Sequence, residues 1–263
     1  MRRSFPILML VPVLALAALP GCGRKGATIT ETEPVGSAIR PIEPTKPDQL
    51  SQRGMVNLSL AQTYLKSGQL KTALERANKA AMTDPRNGNV YAMMGLIQDR
   101  IGDQAAAAAA FQKALSLAPT EGGVNNAYGI WQCSRGDQAG AAASFARALA
   151  DPFFTSPGLA HFNAGHCLLK SGQAAQAEVE LRRALDTRGS DVGAVLMSLA
   201  QAELAQGSVF EARAFVQRRE ALGATAEVLE LAARIEDAAG DPAAAARIRA
   251  RIRGDRAESD NGG

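Results

Sequence analysis

Few residues in this chain are of types that do chemistry. Among 263 residues there are two histidines, His161 and His166, and three cysteines, Cys22, Cys133 and Cys167. Thiolate and imidazole together raise the question of a metal. His161 and His166, however, are five positions apart, about 140° around a helix, so their rings do not converge on one ion. The arginines at 247, 249, 251 and 253 could suggest anion binding. Alternate residues step about 200° around a helix, so these four occupy two faces and read as a solvated terminal helix. The sequence carries no glycine-rich phosphate loop, no paired-carboxylate motif and no Ser/His/Asp context. The expectation is a non-enzymatic protein with no cofactor, no metal and no small-molecule substrate.

Cys22 has a different setting. Met1-Arg2-Arg3 is followed by an apolar run from Phe5 to Leu19 and then Pro20-Gly21-Cys22. Basic residues, a short apolar stretch and small residues form the layout of an export signal. The run is interrupted by Pro6 and Pro12 and falls short of the ~20 residues that span a bilayer. Leu19-Pro20-Gly21-Cys22 resembles the bacterial lipobox, in which the cysteine is lipidated and becomes the new N-terminus. The predicted leader is 1–21, with Cys22 as the lipidation site. Gly23 in place of Asp after the cysteine points to the outer membrane, with the chain facing the periplasm of a Gram-negative cell. Residues 22–50 read as a tether, because Pro34, Pro41, Pro44 and Pro47 punctuate Thr, Glu, Gly and Ser without apolar periodicity. At ~3.1 Å per residue an extended tether reaches several tens of ångströms.

The elements that must position everything else follow from composition and period. The chain is 46% hydrophobic but 5% aromatic, and 52 residues are alanine. Such a composition favours helices packed closely on small residues. Net charge is +3, from 29 Lys+Arg against 26 Asp+Glu, and falls to +1 once Arg2 and Arg3 are removed. That is too little to argue for nucleic acid. Turn glycines stand at Gly68, Gly102, Gly136, Gly172, Gly207 and Gly240, spaced by 34, 34, 36, 35 and 33 residues. Seven residues before each is a small residue: Ala61, Gly95, Gly129, Gly165, Ala200 and Ala233. Small residues there let paired helices approach, the glycine turns the chain, and Pro85, Pro119 and Pro152 end second helices. The frame resembles the tetratricopeptide repeat, with Phe111 and Phe145 as its second-helix aromatics. The predicted fold is all-α, a right-handed superhelical solenoid of six repeats over 51–253, starting near 54, 88, 122, 158, 193 and 226. Units five and six are degenerate, with Val216 and Arg249 at the aromatic position. Residues 254–263 read as a disordered tail.

In such an array the first helices line a concave face. In unit one, Asn57, Leu60, Ala61 and Tyr64 have the spacing for packing inside the array, which leaves Met55, Leu58, Gln62 and Leu65 facing the groove. The same register places Leu96, Asn126, Ile130, Leu159, Phe162, His166 and Leu169 there, continued by Met197, Gln201 and Leu204. A partly apolar groove suits an extended or helical peptide. The Lys/Asn/Arg clamp that some repeat proteins use on a peptide carboxylate is missing, since Leu58, Met93 and Gly123 stand at its positions. Tyr128 and Trp131 have core spacing. With Cys22 lipidated, the exported chain retains Cys133 and Cys167, either as a bridge between units three and four or as two small buried thiols.

Three segments allow a narrower statement: Asn126-Ala127-Tyr128-Gly129 leading to Cys133-Ser134-Arg135-Gly136; Ala148-Leu149-Ala150-Asp151-Pro152-Phe153-Phe154-Thr155-Ser156-Pro157; and Asn163-Ala164-Gly165-His166-Cys167. Together they resemble the type IV pilus biogenesis and stability lipoproteins, six-repeat pilotins that help the outer-membrane secretin assemble. The resemblance runs from about Leu58 to Gly240. It departs at Ala127, where the family has a second asparagine, at Phe154, where tyrosine is common, at Gln132 and in the charged C-terminal tail. It implies a Cys133–Cys167 bridge, a secretin subunit as partner, and the groove as the binding surface. The other reading is a general periplasmic adaptor for peptidoglycan enzymes or outer-membrane assembly factors.

Overall fold

The structure, a computed structural model, describes residues 50–261. The expected leader, the Cys22 lipidation site and the tether up to residue 49 lie outside the described residues, as do the last two positions. Twelve helices follow one another: α1 (Gln52–Lys66), α2 (Leu70–Thr83), α3 (Gly88–Ile101), α4 (Gln104–Leu117), α5 (Gly122–Ser134), α6 (Gln138–Ala150), α7 (Pro157–Lys170), α8 (Ala174–Asp186), α9 (Val192–Ala205), α10 (Val209–Glu220), α11 (Ala226–Ala238) and α12 (Pro242–Asn261). No strand occurs among the described residues. The last helix continues to Asn261, where a disordered tail from 254 was expected. No proline interrupts the segment, and the good helix formers Arg253, Arg256, Ala257 and Glu258 carry it past Gly254.

Local signals set the pairs. Asn87 caps α3, its Oδ1 accepting from the N–H of Asn89 at 3.0 Å. The helix stops at Gly102, whose φ of 95° is left-handed and closed to most side chains. The next residue, Asp103, accepts from the N–H of Ala106 at 2.9 Å and starts α4. One Gly-Asp pair thus ends a helix and begins its partner, and Gly136-Asp137 and Gly240-Asp241 do the same.

Each pair closes on a socket. A Cβ at Gly95 would stand 2.6 Å from the Phe111 ring, one at Gly129 2.8 Å from Phe145, and one at Gly165 2.6 Å from Leu181. The small residue seven positions before the turn therefore accommodates the side chain sixteen positions later. Its size tracks that partner: Gly with Phe, Phe and Leu in units two to four, Ala200 with Val216 in unit five, Ala61 with Ala77 in unit one. All ten residues are buried. Unit six breaks the series, because Arg249 stands opposite Ala233 and instead pairs with Asp237.

Units join by a regular rule. The backbone of every second helix approaches the first helix of the next unit, and each first helix approaches the next first helix; second-helix backbones stay apart and meet only through long side chains, Arg182 over Phe215 and Arg251 with Glu220. The first helices therefore line the inner side of the curve. Phe111 of α4 meets Tyr128 and Trp131 of α5, with ring centroids 5.6 and 5.2 Å apart, so unit two is welded to unit three by aromatic contact. Units four to six share one apolar cluster containing Leu181, Leu196, Leu199, Phe215 and Ile235. At its edge Arg182 donates to Glu178 at 2.7 Å and to Glu203 at 2.9 Å, and its guanidinium lies 5.2 Å above the Phe215 ring. Glu203 is 3% exposed. Burial first, then the neighbouring Glu178 charge, push its carboxyl above the usual range. Glu178 moves the other way, held down by hydrogen bonds from Gln206 and Arg182.

Candidate protein-binding groove

The inner face is assembled from helix positions that the pairing leaves uncovered. On α1, Met55 is 51% exposed, Gln62 is open, and Leu58 and Leu65 are half-buried. Leu65 leans on the cluster around Ile97. Along the curve Leu96 of α3 packs at the edge of the Phe111 cluster. Ile130 of α5 packs against the cluster of Ala141, Phe145 and Cys167. On α7, His166 is open, while Leu159, Phe162 and Leu169 are half-buried. Phe162 and Leu169 rest on the cluster shared by units four to six. The Phe162 ring stacks on His166 at 6.0 Å. The His166 pKa is lowered, first by partial desolvation against its neighbours and then by the charge of Lys170, which favours the neutral ring. The face offers apolar area over α1 and α7, with polar tips at Gln62 and His166.

Asn126 does not belong to this open surface. It is 6% exposed, and its Oδ1 accepts from Nδ2 of Asn163 at 3.0 Å. The side chain spans units three and four as an internal tie, because a buried amide must find a partner within the protein. Beside it Cys133 of α5 and Cys167 of α7 form a disulfide with Cα atoms 5.8 Å apart. Amide and disulfide both join adjacent first helices, so the middle of the inner face is cross-linked.

The remaining chemistry-bearing residues are engaged elsewhere. His161 Nδ1 lies 2.7 Å from a carboxylate oxygen of Glu180, joining α7 to α8. Among the described residues no three His, Cys, Asp or Glu side chains converge as a metal site would require. Arg249 pairs with Asp237 on α11 and Arg251 with Glu220 on α10, at 2.7 Å for the second, so the arginine ladder is divided between two directions. No helix among the described residues is long and apolar enough to cross a membrane.

Sequence reasoning stopped the groove at unit five. The structure extends it with a cavity of about 420 Å³ between α9 and α11, walled by Met197, Gln201 and Leu231 and rimmed by Glu227, Glu230 and Arg234. The second and fifth positions of unit six, Glu227 and Glu230, follow the same register and could have been read off. The inner face thus grades from apolar at its start to acidic at its end.

Comparison with known proteins agrees with this architecture. The family model for the tetratricopeptide repeat matches residues 88–121, one full unit. No curated protein matches the chain. The solved structure of PilW, a widely conserved type IV pilus biogenesis factor, is 27% identical, covering 78% of this chain and 94% of that one with a TM-score of 0.67. Pseudomonas aeruginosa PilF is 20% identical over 76% of this chain and 90% of that one, with a TM-score of 0.61. Yeast Tom70 is 19% identical over 79% of this chain and 42% of that one, with a TM-score of 0.53. At those lower identities the likeness is one of fold. The chain is a PilW-like tetratricopeptide-repeat solenoid, a scaffold for binding other proteins.

Proposed function

We propose that the chain is an outer-membrane pilotin: a lipid-anchored scaffold that holds a pilus secretin subunit and promotes secretin localisation and multimerisation, and through them pilus biogenesis. The observation that supports this most is the likeness to PilW along nearly the whole of that protein. In this reading lipid at Cys22 supplies the membrane address, where two or more acyl chains give stable anchoring. The inner face supplies capture. Met55 and Leu58 on α1 receive an apolar stripe of a secretin segment, and the cross-linked centre keeps the face from rearranging, which lowers the ordering cost of binding.

The test is a deletion strain scored for heat- and detergent-resistant secretin multimers and for surface pili. Both are expected to fall together, and normal multimers would refute the proposal. Co-purification with murein hydrolases in place of secretin would support the general adaptor. For the groove, Met55→Asp is the selective variant, since half its surface is open. It is expected to retain helicity and lose secretin capture. Phe162→Asp is unsuitable, because a carboxylate there also disturbs the cluster beneath it.

A further inference from the structure

The connector between α6 and α7 carries two phenylalanines with opposite fates. Phe154 turns inward onto Gly122, so closely that a Cβ at that glycine would come within 2.5 Å of its ring. Phe153, its neighbour, is 88% exposed. The connector is held from within. One carboxylate oxygen of Asp151 accepts the N–H of Gly122 at 2.7 Å, and the other accepts the N–H of Phe153 at 2.9 Å. A single exposed apolar residue is ordinary on a protein surface. This one has its backbone held by Asp151 and borders a cavity of about 350 Å³ formed with the connector of the preceding unit, whose walls include Pro119, Thr120, Ala150 and Pro152.

Arg147 lines the same cavity. Its Nε donates to Oδ1 of Asn125 at 3.0 Å and its Nη2 to Oγ of Ser144 at 2.8 Å. Asn125 and Ser144 are both fully buried, so two core side chains aim the guanidinium. Both partners are neutral, and none of the ion pairs among the described residues involves Arg147. Asp151, the carboxylate in the cavity wall, is committed to backbone N–H groups. The cavity therefore offers an apolar recess, an exposed aromatic at its edge and a guanidinium in no ion pair among the described residues.

We propose that this rim is a second docking site, separate from the inner groove, for a partner's peptide segment that carries an apolar side chain beside a carboxylate. The apolar group fills the recess against Phe153, and the carboxylate meets Arg147 as a charge-assisted hydrogen bond. Aromatic and arginine anchors beside a pocket are the composition of interface hot spots. Occupied together with the groove, the site lets the scaffold hold two proteins at once. The proposal is independent of the secretin reading, because neither Phe153 nor Arg147 lies on the inner face.

The experiment pans a random phage-displayed peptide library on the full chain in detergent and titrates the selected peptides by fluorescence anisotropy. Peptides with Asp or Glu close to an aromatic or branched aliphatic residue are expected to be enriched. Their affinity is expected to fall at least about tenfold in Phe153→Ala and in Arg147→Gln, with the circular dichroism spectrum unchanged. Phe210→Ala, which removes another exposed phenylalanine on α10, should leave affinity intact. Failure to enrich such peptides, equal binding by both rim variants, or loss of binding in Phe210→Ala would overturn the proposal. So would tighter binding after deletion of residues 23–47, which would make the chain's own tether the occupant.

Discussion

A double-mutant cycle at Gly95 and Phe111 tests the socket rule quantitatively. The Gly95→Ala methyl would stand 2.6, 2.8 and 2.9 Å from three carbons of the Phe111 ring, which is fully buried. Ordinary contact begins near 3.4 Å, so ring or helix must shift by most of an ångström. Overpacking of this kind costs about 1–3 kcal/mol, offset by roughly 1 kcal/mol from the better helix former. The net expectation is a loss of about 0–2 kcal/mol. Phe111→Val empties most of the ring volume and should cost about 2–4 kcal/mol. Combined, the two changes import the Ala200/Val216 pair of unit five, and the new methyl occupies part of the void. The double variant should then be more stable than the sum of the singles by about 1–2 kcal/mol, within the range for directly touching residues. Urea unfolding of the four proteins, followed by far-ultraviolet circular dichroism, measures the coupling. Additivity within about 0.5 kcal/mol, or a Gly95→Ala protein more stable than the parent, would refute the rule.

Two further outcomes are expected. The Cys133→Ser/Cys167→Ser protein loses a cross-link of sequence separation 34, and chain entropy sets its loss of stability at about 3–4 kcal/mol. An unchanged urea midpoint would show that the unfolded chain is not constrained by the bridge. At the unit four–five junction, a carboxyl with a raised folded-state pKa contributes stability below the unfolded carboxylate range and loses it as pH rises through the folded value. Glu203→Gln mimics the protonated form, so it should be more stable than the parent at neutral pH. That advantage should shrink as pH falls from the raised folded value toward the unfolded carboxylate range near about 4. Glu178→Gln should do the reverse, because the Glu178 carboxylate is the favoured form. A pH-independent difference for Glu203→Gln would show that charge is not what the site resists.

The repeat was legible because its signals are local. A left-handed turn residue must be glycine nearly everywhere, so Gly68, Gly102 and their successors mark the period whatever else mutates. The inner-face register was legible for the same reason, since helix geometry alone sets it. What spacing within one unit does not contain is the partner from another. Asn126 has the groove register, but Asn163, in the next unit, claims its side chain. Phe162 faces inward, yet how far it is covered depends on the cluster of units four to six. Phe153 and Phe154 are adjacent and identical in type. Only Gly122, in the helix that opens the unit, decides which of them is anchored.

The close backbone approach of first helices, against second helices that meet only through side chains, has a mechanical consequence. A stack joined more closely along one side bends about that side, as a beam bends about its neutral line. Outer clefts, such as the one of about 350 Å³ reached by Ala142, Ala146 and Leu149 of α6 and by Arg183 of α8, lie on the more loosely joined side, where bending would change the spacing most. The inner line meanwhile keeps its length, riveted at mid-span by Cys133–Cys167 and Asn126–Asn163. A segment lying along it would keep its register while the scaffold flexes under load.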